Sequence, residues 1–484
     1  MKRKIISILL TLAAIIIWIL VVQSRMSRLD LGQPEQTRTK SPTNDISLSQ
    51  TPMSPAESGQ SSEADAQHPN ANGQESDGAS NAGSDPDDDP DADPNASPGA
   101  SDIEGLNGPN GPNDPNDPQN QQPSTLPPAN DLTETLTIEL SNGASTTTLL
   151  DRSYTTKKTV EAGSTLKINA PEIIHALYII WDLPPGEWFI SGEPSQSCGN
   201  NGFIHEYIAL SSPSTEITMQ FPNTDSTICD VYAFTEGAAP QWVQTWEQPC
   251  AKADLLLLPT HADDEHLYFA GIMPYYAGEL GYRVQVAYLT NHWNEPPRPH
   301  ELLNGLWTVG IRYYPIIGGF NDRYAESLSE AQSMYGLDNV VSYQVDLLRR
   351  FKPEVVVGHD VNGEYGHGVH MLNAYALQIA VEEADDAAKY PASATKYGTW
   401  DTPKLYLHLY PDNAITLDWN MPLSNFGGAT AYDMAVAGYA CHISQQQWAF
   451  AVPQNGPTGH KFGLVRSTVG PDIIGGDLFE NISR

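Results

Sequence analysis

Asp254-Leu255-Leu256-Leu257-Leu258-Pro259 is the segment that most narrows what this chain can fold into. A strand with one wet face alternates apolar and polar residues, whereas four leucines in a row predict a strand covered on both faces. Such strands build parallel sheets, and the texture after about Cys250 agrees. A helix over Glu265 to Leu280 and a strand over Val284 to Leu289 are expected next. Further apolar runs at Tyr314 to Ile317 and Val355 to Val357 are separated or followed by helical stretches at Glu301 to Val309, Val340 to Phe351 and Met371 to Ala384. Residues 250–484 are therefore expected to be an α/β domain. Its form is a Rossmann-like, open, mostly parallel sheet with helices on both faces, where ligands gather at the carboxyl ends of the strands.

The rest of the chain has three other textures. Lys2, Arg3 and Lys4 precede Ile5 to Val22, eighteen residues without a charge. As a helix that run spans roughly 27 Å, close to a bilayer's hydrocarbon thickness. Residues 1–22 are expected to be an uncleaved, single-pass membrane anchor, because no small-x-small cleavage site follows. Cleavage would make the protein secreted. From Ser41 to Asp151 there is no Lys or Arg, and Asp, Pro, Asn, Gly and Ser dominate. Such a tract cannot bury enough apolar surface to offset its chain entropy, so 23–130 is expected to be a disordered acidic tether. Residues 131–245 alternate in short runs such as Leu136 to Leu140 and Glu216 to Phe221, broken by Gly/Pro/Asn turns. They predict an all-β, jelly-roll-like sandwich. Its Trp181, Trp188, Tyr207 and Tyr232 are expected in the core, with sugar stacking as the functional alternative. Cys198, Cys229, Cys250 and Cys441 form no CxxC pair, so a cysteine-based zinc site is not expected. Their choice between disulfides and free thiols stays open.

The formal net charge is −34, and from Asp131 onward 41 acidic residues face 18 basic ones. A surface of that sign repels nucleic acid and anionic headgroups, so no nucleic-acid partner is expected; no feature points to a protein partner either.

The chemistry concentrates in two loops. His261-Ala262-Asp263-Asp264 follows the leucine strand, and Gly363-Glu364-Tyr365-Gly366-His367-Gly368-Val369-His370 follows the run at Val355. His261 and Asp264, three residues apart, can converge on one ion while Asp263 stays a free base. The start of a helix there predicts that both aspartates are ionised. An acidic helix start alone would explain the first loop. The second loop adds two histidines at i, i+3, which can share a face, one for a metal and one for substrate. Structural zinc is usually closed by four protein ligands, mostly Cys and His, whereas hydrolytic zinc keeps three and leaves a position to water.

His261-Ala262-Asp263-Asp264-Glu265, together with Gly363 to His370, resembles the paired motifs of the PIG-L/LmbE-like zinc deacetylases, which remove acetyl groups from N-acetylglucosamine-containing molecules. The resemblance covers roughly 250–484, and it departs at Ala262, where that family carries proline. It implies a zinc cofactor (Zn2+) held by His261, Asp264 and His370, with Asp263 as general base. His367, protonated, would stabilise the oxyanion and give its proton to the leaving amine, and Tyr365 would donate a second hydrogen bond. Arg298 would bind sugar hydroxyls; the role of His442, in a late segment near the site, is left open. The expected enzyme is an extracytoplasmic N-acetyl sugar deacetylase acting on an N-acetylglucosamine-containing glycan or glycoconjugate, with the membrane as the anchor's partner. The alternatives are a surface glycan-binding, adhesive protein with an inactive domain, and the same hydrolase acting on another amide such as a thiol conjugate.

Overall fold

The computed structural model describes residues 126–448, 450–452 and 459–483. The expected anchor at 1–22 and nearly all of the tether at 23–130 lie outside them. Among the described residues no helix is long and apolar enough to cross a membrane.

Seven strands come first: β1 (Thr137–Leu140), β2 (Lys158–Val160), β3 (Thr165–Trp181), β4 (Trp188–Ile190), β5 (Gln196–Cys198), β6 (His205–Gln220) and β7 (Ser226–Phe234). All seven join one antiparallel hydrogen-bonded network in the order β2-β7-β3-β6-β4-β5, with β1 beside β3. The cause is strand length. β3 has 17 residues and β6 has 16, and their pairing breaks register between Asn169 and Ile174. Such breaks bend a strand, so the first part of β3 pairs with β1 and the last part with β7. Trp181 and Trp188 are fully buried and both donate their indole N–H to Glu206 Oε2, at 3.0 and 3.1 Å. They are core, not sugar platforms, and Tyr232 is buried as well. All four cysteines are unpaired.

The second sheet holds β8 (Leu255–Leu257), β9 (Val284–Asn291), β10 (Ile316–Asn321), β11 (Val355–Gly358), β12 (Lys404–His408), β13 (Ala414–Thr416) and β14 (Lys461–Ser467). Their order is β10-β9-β8-β11-β12-β14-β13; the first five are parallel, and β14 and β13 close the edge antiparallel. The helices are α1 (Asp264–Leu267), α2 (Pro297–Thr308), α3 (Leu328–Tyr335), α4 (Leu337–Phe351), α5 (Gly368–Glu383), α6 (Pro391–Tyr397) and α7 (Ala431–Tyr439). The leucine run behaves as its composition demands. Leu255 and Leu257 enter one core with Leu302 and Leu306 of α2, while Leu256 and Leu258 enter another with Val341 and Val345 of α4 and Leu372 of α5. Burying each such side chain contributes about 1.5–3 kcal/mol.

One expected element differs. The helix over Glu265 to Leu280 is a four-residue α1, an interruption, and a π-helical turn at Met273–Glu279. The core of the β region is continuous with the α2 face of the second sheet, since Trp181 and Leu255 lie in the same buried cluster. Phe203 stacks on Tyr314 with centroids 4.3 Å apart.

Candidate metal centre and active site

After β8 the chain runs to β9 and β10 on one side, then crosses back to β11 on the other. The point between β8 and β11 is therefore a topological switch, where the loops diverge and leave a crevice. Both motif loops open into it. Pro259 has no N–H to donate, and the buried amides that follow need acceptors of their own. Side chains supply them. Thr260 N–H donates to His359 Nε2 (2.9 Å), His261 N–H to Asp264 Oδ2 (2.7 Å), Ala262 N–H to His292 Nε2 (3.1 Å) and Asp263 N–H to Glu265 Oε2 (2.8 Å). Asp263 sits at φ 120°, a conformation a non-glycine residue holds only when its surroundings enforce it.

Three of the residues singled out converge. His261 Nδ1 lies 3.0 Å from His370 Nε2 and 3.2 Å from Asp264 Oδ2, and His370 Nε2 lies 3.2 Å from the same oxygen. Tetrahedral zinc with ligands at 2.0–2.1 Å has edges of about 3.3 Å, so this triangle fits such an ion. Carboxylates stand behind both imidazoles: Glu364 Oε2 is 2.9 Å from His370 Nδ1, and Asp322 Oδ1 is 3.3 Å from His261 Nε2. Such partners fix the tautomer that turns a lone pair toward a metal. Glu364 also accepts from His359 Nδ1 (2.7 Å) and His408 Nδ1 (2.8 Å). Burial alone would raise its carboxyl, but His359, His370 and His408 hold it well below the usual range.

The two aspartates part company. Burial would raise Asp264, but His370 and His261 hold it well below the carboxylate range. Asp263 is pushed up to about 7 by burial and by Asp264 beside it. Burial thus opposes the charge on Asp263, while the two imidazoles hold the charge on Asp264. A carboxylate near 7 is matched to taking and returning a proton at neutral pH.

His367 caps α5, accepting the Val369 N–H on Nδ1 at 3.1 Å, and burial with His261 and His370 nearby pushes it down to about 3. With Nδ1 accepting, the ring keeps a proton on Nε2 for donation into the cavity. Tyr365 is 56 % exposed at φ 46°, and burial of its hydroxyl with Asp264 close by keeps it protonated, a donor. Arg298 is buried, donates to Ala262 O at 2.8 Å and lies 3.8 Å from Asp263 Oδ1. His442 contacts Glu265 Oε1 at 3.0 Å, so it lies behind the base rather than among the three converging ligands. A cavity of about 560 Å³ opens over His261, Asp263, Asp264, Arg298, Tyr365 and His367. His370, with no exposed surface, is sealed from it.

Asp322, Glu364, His359, His408 and His292 were given no role from sequence. A positional signal was present for most of them. His292, Asp322 and His359 are the first residues past β9, β10 and β11, and His408 is the last residue of β12.

No family model matches the chain. A 1D-myo-inositol 2-acetamido-2-deoxy-alpha-D-glucopyranoside deacetylase of Catenulispora acidiphila is 28% identical over 194 residues, 34% of this chain and 59% of that protein. The enzyme of the same name from Streptomyces avermitilis is 30% identical over 185 residues, 32% of this chain and 61% of its own. The chain thus spans about three fifths of the length of these curated relatives. Among solved structures, N,N'-diacetylchitobiose deacetylase from Pyrococcus horikoshii is 14% identical, covering 45% of this chain and 85% of that one, with a TM-score of 0.34. A score that low adds nothing to the strand order already described. In its paired motifs and in these curated relatives, the α/β part of this chain is similar to the PIG-L/LmbE-like deacetylases.

Proposed function

We propose that this protein is a zinc-dependent hydrolase that removes the acetyl group from N-acetylglucosamine in a glycan or glycoconjugate. One observation carries the reading: three ligand atoms lie within 3.2 Å of one another beside an aspartate that is not among them. The relatives support it, since each is named for deacetylating a 2-acetamido-2-deoxy-glucopyranoside. His261, Asp264 and His370 would hold the ion. When bound, zinc supplies a water acidified to a pKa of about 7 and a polarised acetamide carbonyl.

The chain's own groups do the rest. Asp263 takes a proton from the attacking water as its oxygen bonds to the acetyl carbon. The oxyanion accepts hydrogen bonds from the Tyr365 hydroxyl and His367 Nε2–H. Asp263 then returns its proton to the nitrogen as the C–N bond breaks, because an amide nitrogen does not leave as an anion. Acetate and a free amine result. This gives Asp263 both proton transfers and leaves the neutral His367 as a hydrogen-bond donor. Arg298, in the cavity wall beside Asp263, would hold sugar hydroxyls.

The N-terminal apolar run and the acidic tether support placing the site outside the cell, anchored to the membrane. Acetate release from N-acetylglucosamine-containing oligosaccharides and glycolipids, measured on zinc-loaded protein, tests the reading. Asp263→Asn is expected to keep its zinc while losing roughly 10²–10⁴-fold in turnover. Undiminished turnover in that variant would remove Asp263 from the chemistry, and no acetate from any such substrate would remove the function.

A further inference from the structure

Ala262 is gripped from both sides. Its N–H donates to His292 Nε2 at 3.1 Å, and its carbonyl accepts from Arg298 at 2.8 Å. The residue has no exposed surface. His292 follows β9 and Arg298 sits in the first turn of α2, so the loop that carries His261, Asp263 and Asp264 is tied to that segment through the two peptide groups flanking Ala262.

His292 has a fixed proton. With Nε2 accepting, the ring's proton must be on Nδ1, which faces Glu295 Oε1 at 3.4 Å and Asp322 Oδ2 at 3.5 Å. Asp322 in turn stands 3.3 Å from His261 Nε2. The same arrangement rules out a cation between His292, Glu295 and Asp322, because no lone pair on the imidazole points there. One ring therefore spans from the backbone just before the proposed base to the carboxylate behind a proposed zinc ligand.

A proline at 262, as the resembling motif carries, would have no N–H to satisfy and would fix its own φ. Alanine leaves a buried donor and a freer backbone, and His292 answers both. We propose that His292 is a positioning residue: by accepting the Ala262 N–H it locks the motif loop and sets Asp263 and Asp264 in place. The proposal rests on the deacetylase reading for its kinetic consequence and on geometry alone for the contact.

The test is a double-mutant cycle between Ala262→Pro and His292→Phe in the zinc-loaded full-length protein, read by acetate release and, in parallel, by thermal unfolding. In the wild-type background H292F is expected to lower kcat about 30-fold with KM changed far less, because reacting groups lose alignment while the cavity remains. In the A262P background the same substitution should cost no more than about threefold, since no N–H is left unpaired. His292→Gln, whose amide oxygen can accept from Ala262, should recover most of the lost kcat; His292→Asn, too short to reach, should not. These two also serve if H292F fails to fold. Equal losses in both backgrounds, or H292Q no better than H292N, would overturn the proposal. If the wild type releases no acetate, the deacetylase reading fails by itself. The unfolding cycle still decides the contact, which is refuted if the two substitutions add without coupling.

Discussion

Two buried histidine clusters in this protein make opposite use of the same side chain. At the candidate centre, His261 and His370 face Asp264, Asp322 and Glu364. Burial would push both imidazoles down, but those carboxylates carry them above the usual histidine range. Where the β region meets α2, His205 Nε2 lies 3.0 Å from His300 Nδ1, and the other partners of His205 are the Gln244 amide (2.8 Å) and the Tyr178 hydroxyl (3.0 Å). Among the described residues no carboxylate contacts either ring, and burial wins. His205 is held well below its ordinary value, and His300 is pushed down to about 4. Burial alone makes a neutral structural histidine. Carboxylates behind the rings make one that waits for a cation, either protons or a metal.

The largest expected effect breaks the first cluster outright. Asp264→Ala or His370→Ala should abolish stoichiometric zinc and lower turnover by roughly 10³-fold or more, since the metal supplies both nucleophile and polarisation. Elemental analysis beside acetate release checks both. Next is Glu364→Gln, which leaves one acceptor oxygen among His359, His370 and His408. Zinc affinity or activity should fall about 10–100-fold, the range for partners of metal-bound histidines. A smaller effect sharpens the contrast in proton state. His261 Nδ1 and His370 Nε2 lie 3.0 Å apart, a contact that needs one proton between the two rings when no metal is there. Titrating zinc into metal-free protein at pH 7 should therefore release about one proton, measurable as a calorimetric heat that scales with the buffer's ionisation enthalpy.

The smallest effect belongs to the second cluster. A histidine whose folded value lies below its unfolded 6.5 contributes stability that is fully present above pH 6.5 and is lost as pH falls toward about 4. Each such imidazole should add a slope of about 1.4 kcal/mol per pH unit within that window. Thermal unfolding across pH 4–8 should show this acid step, and His300→Phe should flatten it. An unchanged step would place the acid lability elsewhere.

The sequence made the residues that chemistry demands legible, and hid the ones that merely orient them. The leucine run Leu255 to Leu258 announced a two-faced strand because its periodicity is itself the physics of burial. The aspartates and histidines of the two loops were visible because hydrolysis needs those atoms together. Glu364 sat inside a quoted motif without a role, since only the fold shows three histidines meeting its carboxyl. Asp322 and His292 were invisible as residue types, yet each is the first residue after a parallel strand. The state of His367 could not be read either, because a cap to Val369 and crowding by two other imidazoles are tertiary facts. How β3 and β6 are shared among their partners was hidden too, because length and register breaks, not alternation, decide it.

The central claim is that His261, Asp264 and His370 bind one ion while Asp263 beside them stays free. Anomalous diffraction at the zinc edge, from crystals grown without chelator, tests it most directly. A single peak about 2.0–2.2 Å from His261 Nδ1, Asp264 Oδ2 and His370 Nε2, with Asp263 outside that shell, is the predicted result. A peak ligated by Asp263, or density centred on other residues, would contradict the account.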